Sequence, residues 1–159
     1  METNLVPGQF DKLTESEMGR IARLLVEHCR SSSAGAVWLM EGDLGAGKTT
    51  FVSTAAQALG IHETVNSPTF NLHNYYQGES GDLNHFDLYR LGGAAMQELE
   101  FAEIWETPTE TFTIHAIEWW NKLSVIHSRL KFYKVKIETV DEEHRKVTII
   151  SLDGNEVYS

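Results

Sequence analysis

At 159 residues the chain is the size of one domain, and a hydrophobic content of 42% is enough to build a core. Its formal net charge of −10 and sequence pI of about 5.1 argue against a protein whose main task is gripping a nucleic-acid backbone. Neutralising phosphates takes clustered Lys and Arg. Work on a nucleic acid held by a partner stays open. The single cysteine, Cys29, cannot form an internal disulfide and suits a reducing compartment. Met1–Leu13 lacks a charged segment followed by an apolar run, and no apolar run approaches the length of a membrane span. The expectation is one soluble, cytoplasmic domain over residues 1–159, with no membrane association.

In chain order, Thr14-Glu15-Ser16-Glu17 reads as a capping box, Thr14 capping and Glu17 reaching back. Met18, Ile21, Ala22, Leu25 and Cys29 follow at helical spacing, with Cys29 as a small core residue. Ser31–Gly35 ends this helix. Ala36–Met40 reads as a short buried strand, and Thr50–Leu59 as a helix stopping at Gly60. Asn71–Tyr76 and Leu83–Tyr89 read as antiparallel strands across a turn at Gly78–Gly81. Gly92-Gly93 breaks the second, and Ala94–Glu103 is a short helix. Phe112–Trp119 is a strand, followed by an irregular or helical connector to Arg129. Lys131–Val140 and Arg145–Leu152 alternate apolar residues as a hairpin does. The sum is an α/β fold, P-loop NTPase-like, with a mostly parallel central sheet, antiparallel hairpin strands and helices on both faces.

Between the first strand and its helix lies Gly42-Asp43-Leu44-Gly45-Ala46-Gly47-Lys48-Thr49, which fits G-x-x-x-x-G-K-[ST] without a mismatch. Strand, Gly-rich loop and helix are the context this phosphate-binding pattern needs. Its glycines can take backbone angles closed to other residues, so successive N–H groups can turn inward around a phosphate. The helix adds its positive end. Lys48 would reach the β- and γ-phosphates, and Thr49 would place its hydroxyl on Mg²⁺. The candidate nucleotide-binding residues are Asp43, Leu44, Gly45, Ala46, Gly47, Lys48, Thr49 and Thr50.

A reaction needs more: a carboxylate on the metal side and a group that responds to the γ-phosphate. Asp87, between Phe86 and Leu88, either faces a cation or donor, or sits on the wet face of an edge strand. Glu118 ends an apolar strand, where parallel sheets gather ligands, or else it forms a surface ion pair. One of the indoles of Trp119-Trp120 could stack on adenine; either could equally be core. Ser67-Pro68-Thr69-Phe70 is either a switch loop or a turn into a strand. His85 lies two residues from Asp87 on the same strand face and is open to site, core or surface placement. The seven histidines show no metal-ligand spacing.

Four motifs, in this order, resemble one family. They are Glu41 to Phe51 (EGDLGAGKTTF), Ser67 to Phe70 (SPTF), His85 to Leu91 (HFDLYRL) and Ile117-Glu118-Trp119, with Gln97 to Phe101 (QELEF) also matching. The chain resembles TsaE (YjeE), the small bacterial ATPase family of tRNA threonylcarbamoyladenosine synthesis. The resemblance runs over nearly the whole chain, and HFDLYRL at this distance after SPTF is its specific part. It implies an ATP- and Mg²⁺-dependent accessory ATPase acting with a threonylcarbamoyl-transferase subunit, TsaD, and its paralogue TsaB, without strong nucleic-acid binding of its own. Within that resemblance Lys48 and Thr49 keep the roles given above. Thr69 becomes a switch residue near the γ-phosphate, and Asp87 a Mg²⁺-side carboxylate. Glu118 becomes a metal-site or water-orienting carboxylate, and Trp119 a neighbour of the nucleotide. Arg145 is a weaker candidate to approach it. Two stretches depart from the family pattern: Trp120-Asn121-Lys122 replaces a Pro and an acidic or polar residue, and Ala102-Glu103-Ile104 lacks the usual Gly-Ile or Gly-Leu. The alternatives are a small-molecule kinase, for which no Arg-rich lid is visible, and a nucleotide-gated binding module without catalysis.

Overall fold

The computed structural model describes residues 7–32, 34–43, 45–68, 71–91, 95–153 and 157. Seven strands form one sheet: β1 (Gly8–Leu13), β2 (Gly35–Glu41), β3 (His73–Gln77), β4 (Asp82–Asp87), β5 (Thr113–Glu118), β6 (Lys131–Thr139) and β7 (Arg145–Leu152). Their order across the sheet is β1-β7-β6-β2-β5-β4-β3. The four central strands, β6-β2-β5-β4, are parallel, and β7, β1 and β3 add antiparallel edges. This is the expected α/β architecture.

Strands β2 and β5 are buried along nearly their whole length. Both faces of a central parallel strand are covered, so such strands read as continuous apolar runs rather than alternating ones. Helices α1 (Glu15–Ser32) and α2 (Lys48–Ala58) pack on one face, over Trp38, Ala116, Tyr133 and Val135. Helix α3 (Ala95–Glu106) covers the other, where Phe101 and Trp105 meet the Phe86 ring edge-on at 5.4 and 5.1 Å.

The capping box forms as expected. The Thr14 amide donates to Glu17 Oε1 at 2.9 Å, and the Glu17 amide to Thr14 Oγ1 at 3.2 Å. Cys29 is a core residue, its thiol pushed up to about 12 by burial. α2 ends at Gly60, whose φ of 76° is left-handed.

The structure departs from expectation in several places. β1 was not foreseen; its residues alternate in exposure, and it forms by pairing with β7, a partner distant in sequence. β4 ends at Asp87 rather than Tyr89, because the Asp87 side chain takes the Tyr89 amide at 3.1 Å and turns the chain. β4 is also an interior strand, between β5 and β3, so the edge-strand reading of Asp87 does not hold. α3 runs three residues beyond Glu103, drawn out by the burial of Trp105. Gly92 and Gly93 lie outside the described residues.

Candidate functional site

The register of the parallel strands builds the site's floor. Met40, Glu118 and Asp87 are cross-strand partners on β2, β5 and β4, at or next to the C-terminal ends of these strands. Residues directly opposite share a face, so Glu118 and Asp87 both point to the face covered by α1 and α2. Between β2 and α2 runs the Gly-rich loop. Its glycines carry positive φ: 147° at Gly42, 81° at Gly45 and 111° at Gly47. Gly42 is fixed by close approach as well, since a Cβ there would stand 2.5 Å from the Ile137 carbonyl oxygen. At Gly45 a Cβ would meet nothing within 4 Å.

Gly47 is the N-cap of α2 and its carbonyl accepts the Phe51 amide at 2.9 Å, but no side chain caps the helix. Among the described residues, the first-turn amides, which an α-helix cannot satisfy internally, therefore have no side-chain acceptor. The loop is braced from outside. The Ala46 amide donates to the Asp43 carbonyl at 3.0 Å, and Arg145 Nε to the Ala46 carbonyl at 2.9 Å. Arg145 Nη1 is occupied by the Asp141 and His144 carbonyls. Arg145 thus supports the loop's backbone, a role its place in the terminal hairpin did not announce.

Lys48 opens α2 and points back over the sheet edge. Its Nζ lies 3.8 Å from Glu118 Oε1, and both side chains are buried, at 8% and 5% exposure. Glu118 Oε2 accepts from His85 Nε2 at 2.6 Å. His85 is fully buried and sits two residues before Asp87 on β4, so the face shared by the two is confirmed. Asp87 is half-buried; its Oδ2 accepts the Ser67 hydroxyl at 2.8 Å and its Oδ1 the Tyr89 amide. Lys48, Thr49, Ser67, Asp87, Glu118 and Trp119 line one open cavity of about 270 Å³. Residues from four separate stretches of the sequence are thus gathered around the start of one helix.

The two indoles part ways. Trp120 packs in the core cluster, with Lys134 Nζ 5.3 Å from its ring, and it also lines, with Trp119, Gly42, Asp43 and Lys48, a cavity beside the loop. Trp119 takes left-handed angles (φ 58°, ψ 36°), unusual for a bulky residue, and a 3-10 turn (Trp120–Lys122) follows. Its ring lies 5.3 Å from Lys48 Nζ and 5.0 Å from the Tyr89 ring. The indole therefore stands at the lysine end of the loop.

Of the expected site residues, Thr69 and Leu44 lie outside the described residues, as does Phe70. Among the described residues no group of three or more His, Cys, Asp or Glu could hold a metal ion by itself. No helix among them is long and apolar enough to cross a membrane.

Comparison with known proteins bears on the family and the fold. The sequence model of the family described as threonylcarbamoyl adenosine biosynthesis protein TsaE matches residues 13–147. Relatives named tRNA threonylcarbamoyladenosine biosynthesis protein TsaE include one from Aquifex aeolicus, 33% identical over 138 residues, covering 86% of this chain and 90% of that protein. One from Haemophilus influenzae is 38% identical over 120 residues, covering 76% and 72%. One from Nostoc sp. is 46% identical over 87 residues; that match spans 55% of this chain and only 54% of the relative's length. The crystal structure of Bacillus subtilis YdiB superposes with a TM-score of 0.62 over 94% of this chain and 88% of that one, at 23% identity, which speaks to the fold. The match runs through the loop, the β4 segment and the Glu118 strand end alike, and on that breadth the chain belongs to the TsaE family of threonylcarbamoyl adenosine biosynthesis proteins.

Proposed function

We propose that this protein is a Mg²⁺-dependent ATPase that serves as an accessory subunit in threonylcarbamoyladenosine modification of tRNA, acting in the cytoplasm on a transferase complex of TsaD and TsaB. The observation that carries the catalytic part is the Lys48–Glu118 pair, set beside Asp87 at a helix N-terminus that no side chain caps.

The residues fit the group they would hold. The open space beyond Gly45 and the uncapped first turn of α2 leave room and donors for a phosphate. Lys48 supplies a buried cation at that point. The absence of an all-protein metal cluster among the described residues suits Mg²⁺, which is commonly held by one or two carboxylates plus substrate phosphates. Thr49 and Asp87 are the residues that would hold it, with Glu118 beside them. When bound, the cation neutralises charge on the phosphates.

The chain's own residues then divide the work. Backbone amides of residues 45–49 cradle the phosphates, and Lys48 stabilises charge developing on the γ-phosphate. Glu118, released from Lys48 by the incoming phosphate, orients the attacking water. Asp87 is held in place by Ser67 and the Tyr89 amide. Trp119 flanks Lys48 and excludes bulk water from its outer side. Thr69, two residues after Ser67 in the sequence, is the switch residue in this reading. The family name supports the place in tRNA modification. The net charge of −10 suits a subunit that does not hold tRNA itself.

The test is ATP hydrolysis by the purified protein, alone and with the transferase pair. Turnover that appears or rises with the pair supports the reading. Tight ATP binding without turnover in either mixture replaces it with a nucleotide-gated module, and phosphorylation of an added small molecule replaces it with a kinase.

A further inference from the structure

Among the described residues the Glu118 carboxylate has two side-chain partners, and only Lys48 belongs to the phosphate-binding pattern. The other, His85, is fully buried, and its Nε2 stands 2.6 Å from Glu118 Oε2, the shorter of the two contacts. A carboxylate oxygen accepts, so Nε2 carries the proton and donates. Among the described residues the second ring nitrogen, Nδ1, has no hydrogen-bond partner. A buried polar atom left unpaired is costly, and a structural core position filled by Leu or Phe would avoid that cost. What the imidazole provides here is a single directed N–H, aimed at one oxygen of one carboxylate.

The geometry behind it is rigid. His85 lies opposite Ala116 in the β4–β5 register, two residues before the Asp87–Glu118 pair. The small Ala116 side chain leaves the imidazole room to reach along the sheet to the strand end. With Oε2 held by His85, Oε1 faces Lys48 and the cavity. Two interior strands thus fix which oxygen is offered to the site.

We propose that His85 is a positioning residue for the reaction. Its Nε2–H pins Oε2 of Glu118 so that Oε1 alone faces the bound phosphate and the attacking water. His85 itself touches neither. This rests on the assignment of Glu118 to hydrolysis made above. Partners that hold and orient a functional carboxylate act through it, so their loss lowers the rate more than the affinity.

The test compares His85→Gln with His85→Met. These two side chains have nearly the same shape, but only Gln keeps an N–H near the position of Nε2. His85→Met should lower kcat by about tenfold or more while nucleotide Kd stays within about twofold, and His85→Gln should restore most of that loss. In a Glu118→Gln background the Met and Gln variants should differ by less than about twofold, because the carboxylate they position is gone. Thermal melting of the nucleotide-free variants should give Met and Gln similar midpoints. Equal kcat for Met and Gln overturns the proposal. So does a Kd loss matching the kcat loss, or a failure of both variants to fold, which would make His85 a core residue only. A Glu118→Gln protein with undiminished turnover would instead sink the role given to Glu118, a result separable from the Met–Gln comparison in the wild-type background.

Discussion

Lys48 and Glu118 meet across the end of the sheet, Nζ to Oε1 at 3.8 Å, with both side chains almost out of reach of solvent. Removing one member of a buried pair strands the other's charge. Here His85 remains on Glu118, so Lys48→Ala leaves the carboxylate partly satisfied. The expected outcome is a folded protein whose ATP affinity falls by at least about tenfold and whose turnover is lost. Calorimetric titration with ATP and a phosphate-release assay check it. Unchanged turnover would remove the site assignment.

Glu118→Gln removes the charge while leaving an acceptor for His85. Hydrolysis should fall by about 100-fold or more, the scale of a lost catalytic carboxylate, with ATP affinity changed by less than about threefold. Equal losses in both would point to a binding role. Single-turnover kinetics beside equilibrium binding separate the two.

Gly42 and Gly45 share a positive φ and differ in their surroundings. Gly42→Ala sets a methyl 2.5 Å from the Ile137 carbonyl as well as straining the backbone. Gly45→Ala incurs the backbone strain alone, about 1–2 kcal/mol. Urea unfolding should therefore show a distinctly larger loss of stability at Gly42 than at Gly45. The reverse order would contradict the loop geometry.

His115 forms part of a buried chain across three strands. His73 Nε2 meets Asn84 Oδ1 at 2.8 Å, and Asn84 Nδ2 meets His115 Nδ1 at 3.3 Å. Burial pulls His115 down from its ordinary 6.5 to about 4 and lowers His73 as well. The folded state thus disfavours a proton that the unfolded chain takes up near pH 6.5. Stability is unaffected above that pH and falls as pH drops towards 4, since the unfolded state binds more protons. One pKa unit is about 1.4 kcal/mol, so His115 contributes at most about 3.5 kcal/mol of this loss. Urea midpoints between pH 7.5 and 4.5 should fall, and fall less steeply in His115→Gln.

Cys29 is buried in the α1 core with Trp38 Nε1 at 3.5 Å from its sulfur, and its thiol is pushed up to about 12 by burial. A thiol-reactive disulfide reagent attacks thiolate. The native protein should show no modification over minutes at pH 8, and one equivalent in denaturant. Rapid native labelling would mean that α1 opens readily.

Much was legible in the sequence because the signals were local. The capping box, the loop and its three positive-φ glycines, the end of α2 at Gly60 and the β6–β7 hairpin each lie within a few residues of their cause. β1 was not, since nothing in Gly8–Leu13 forms a strand until β7 is beside it. The end of β4 was missed by two residues because a side chain, rather than a sequence break, turns the chain.

The candidate site divides the same way. Sequence alone determined that a strand, a Gly-rich loop and a helix follow one another, and its motif order pointed to the family. It named Lys48, Asp87 and Glu118 but left each carboxylate with a surface reading beside the functional one. Tertiary structure removed the surface reading of Glu118 and the edge-strand reading of Asp87, because the parallel register of β2, β5 and β4 buries Glu118 level with Asp87, where Lys48 reaches it from the first turn of α2. It also made His85 the partner of Glu118, Ser67 the partner of Asp87 and Arg145 a brace for Ala46. Hydrogen bonds between residues far apart in the chain depend on strand order and register, which no local pattern encodes.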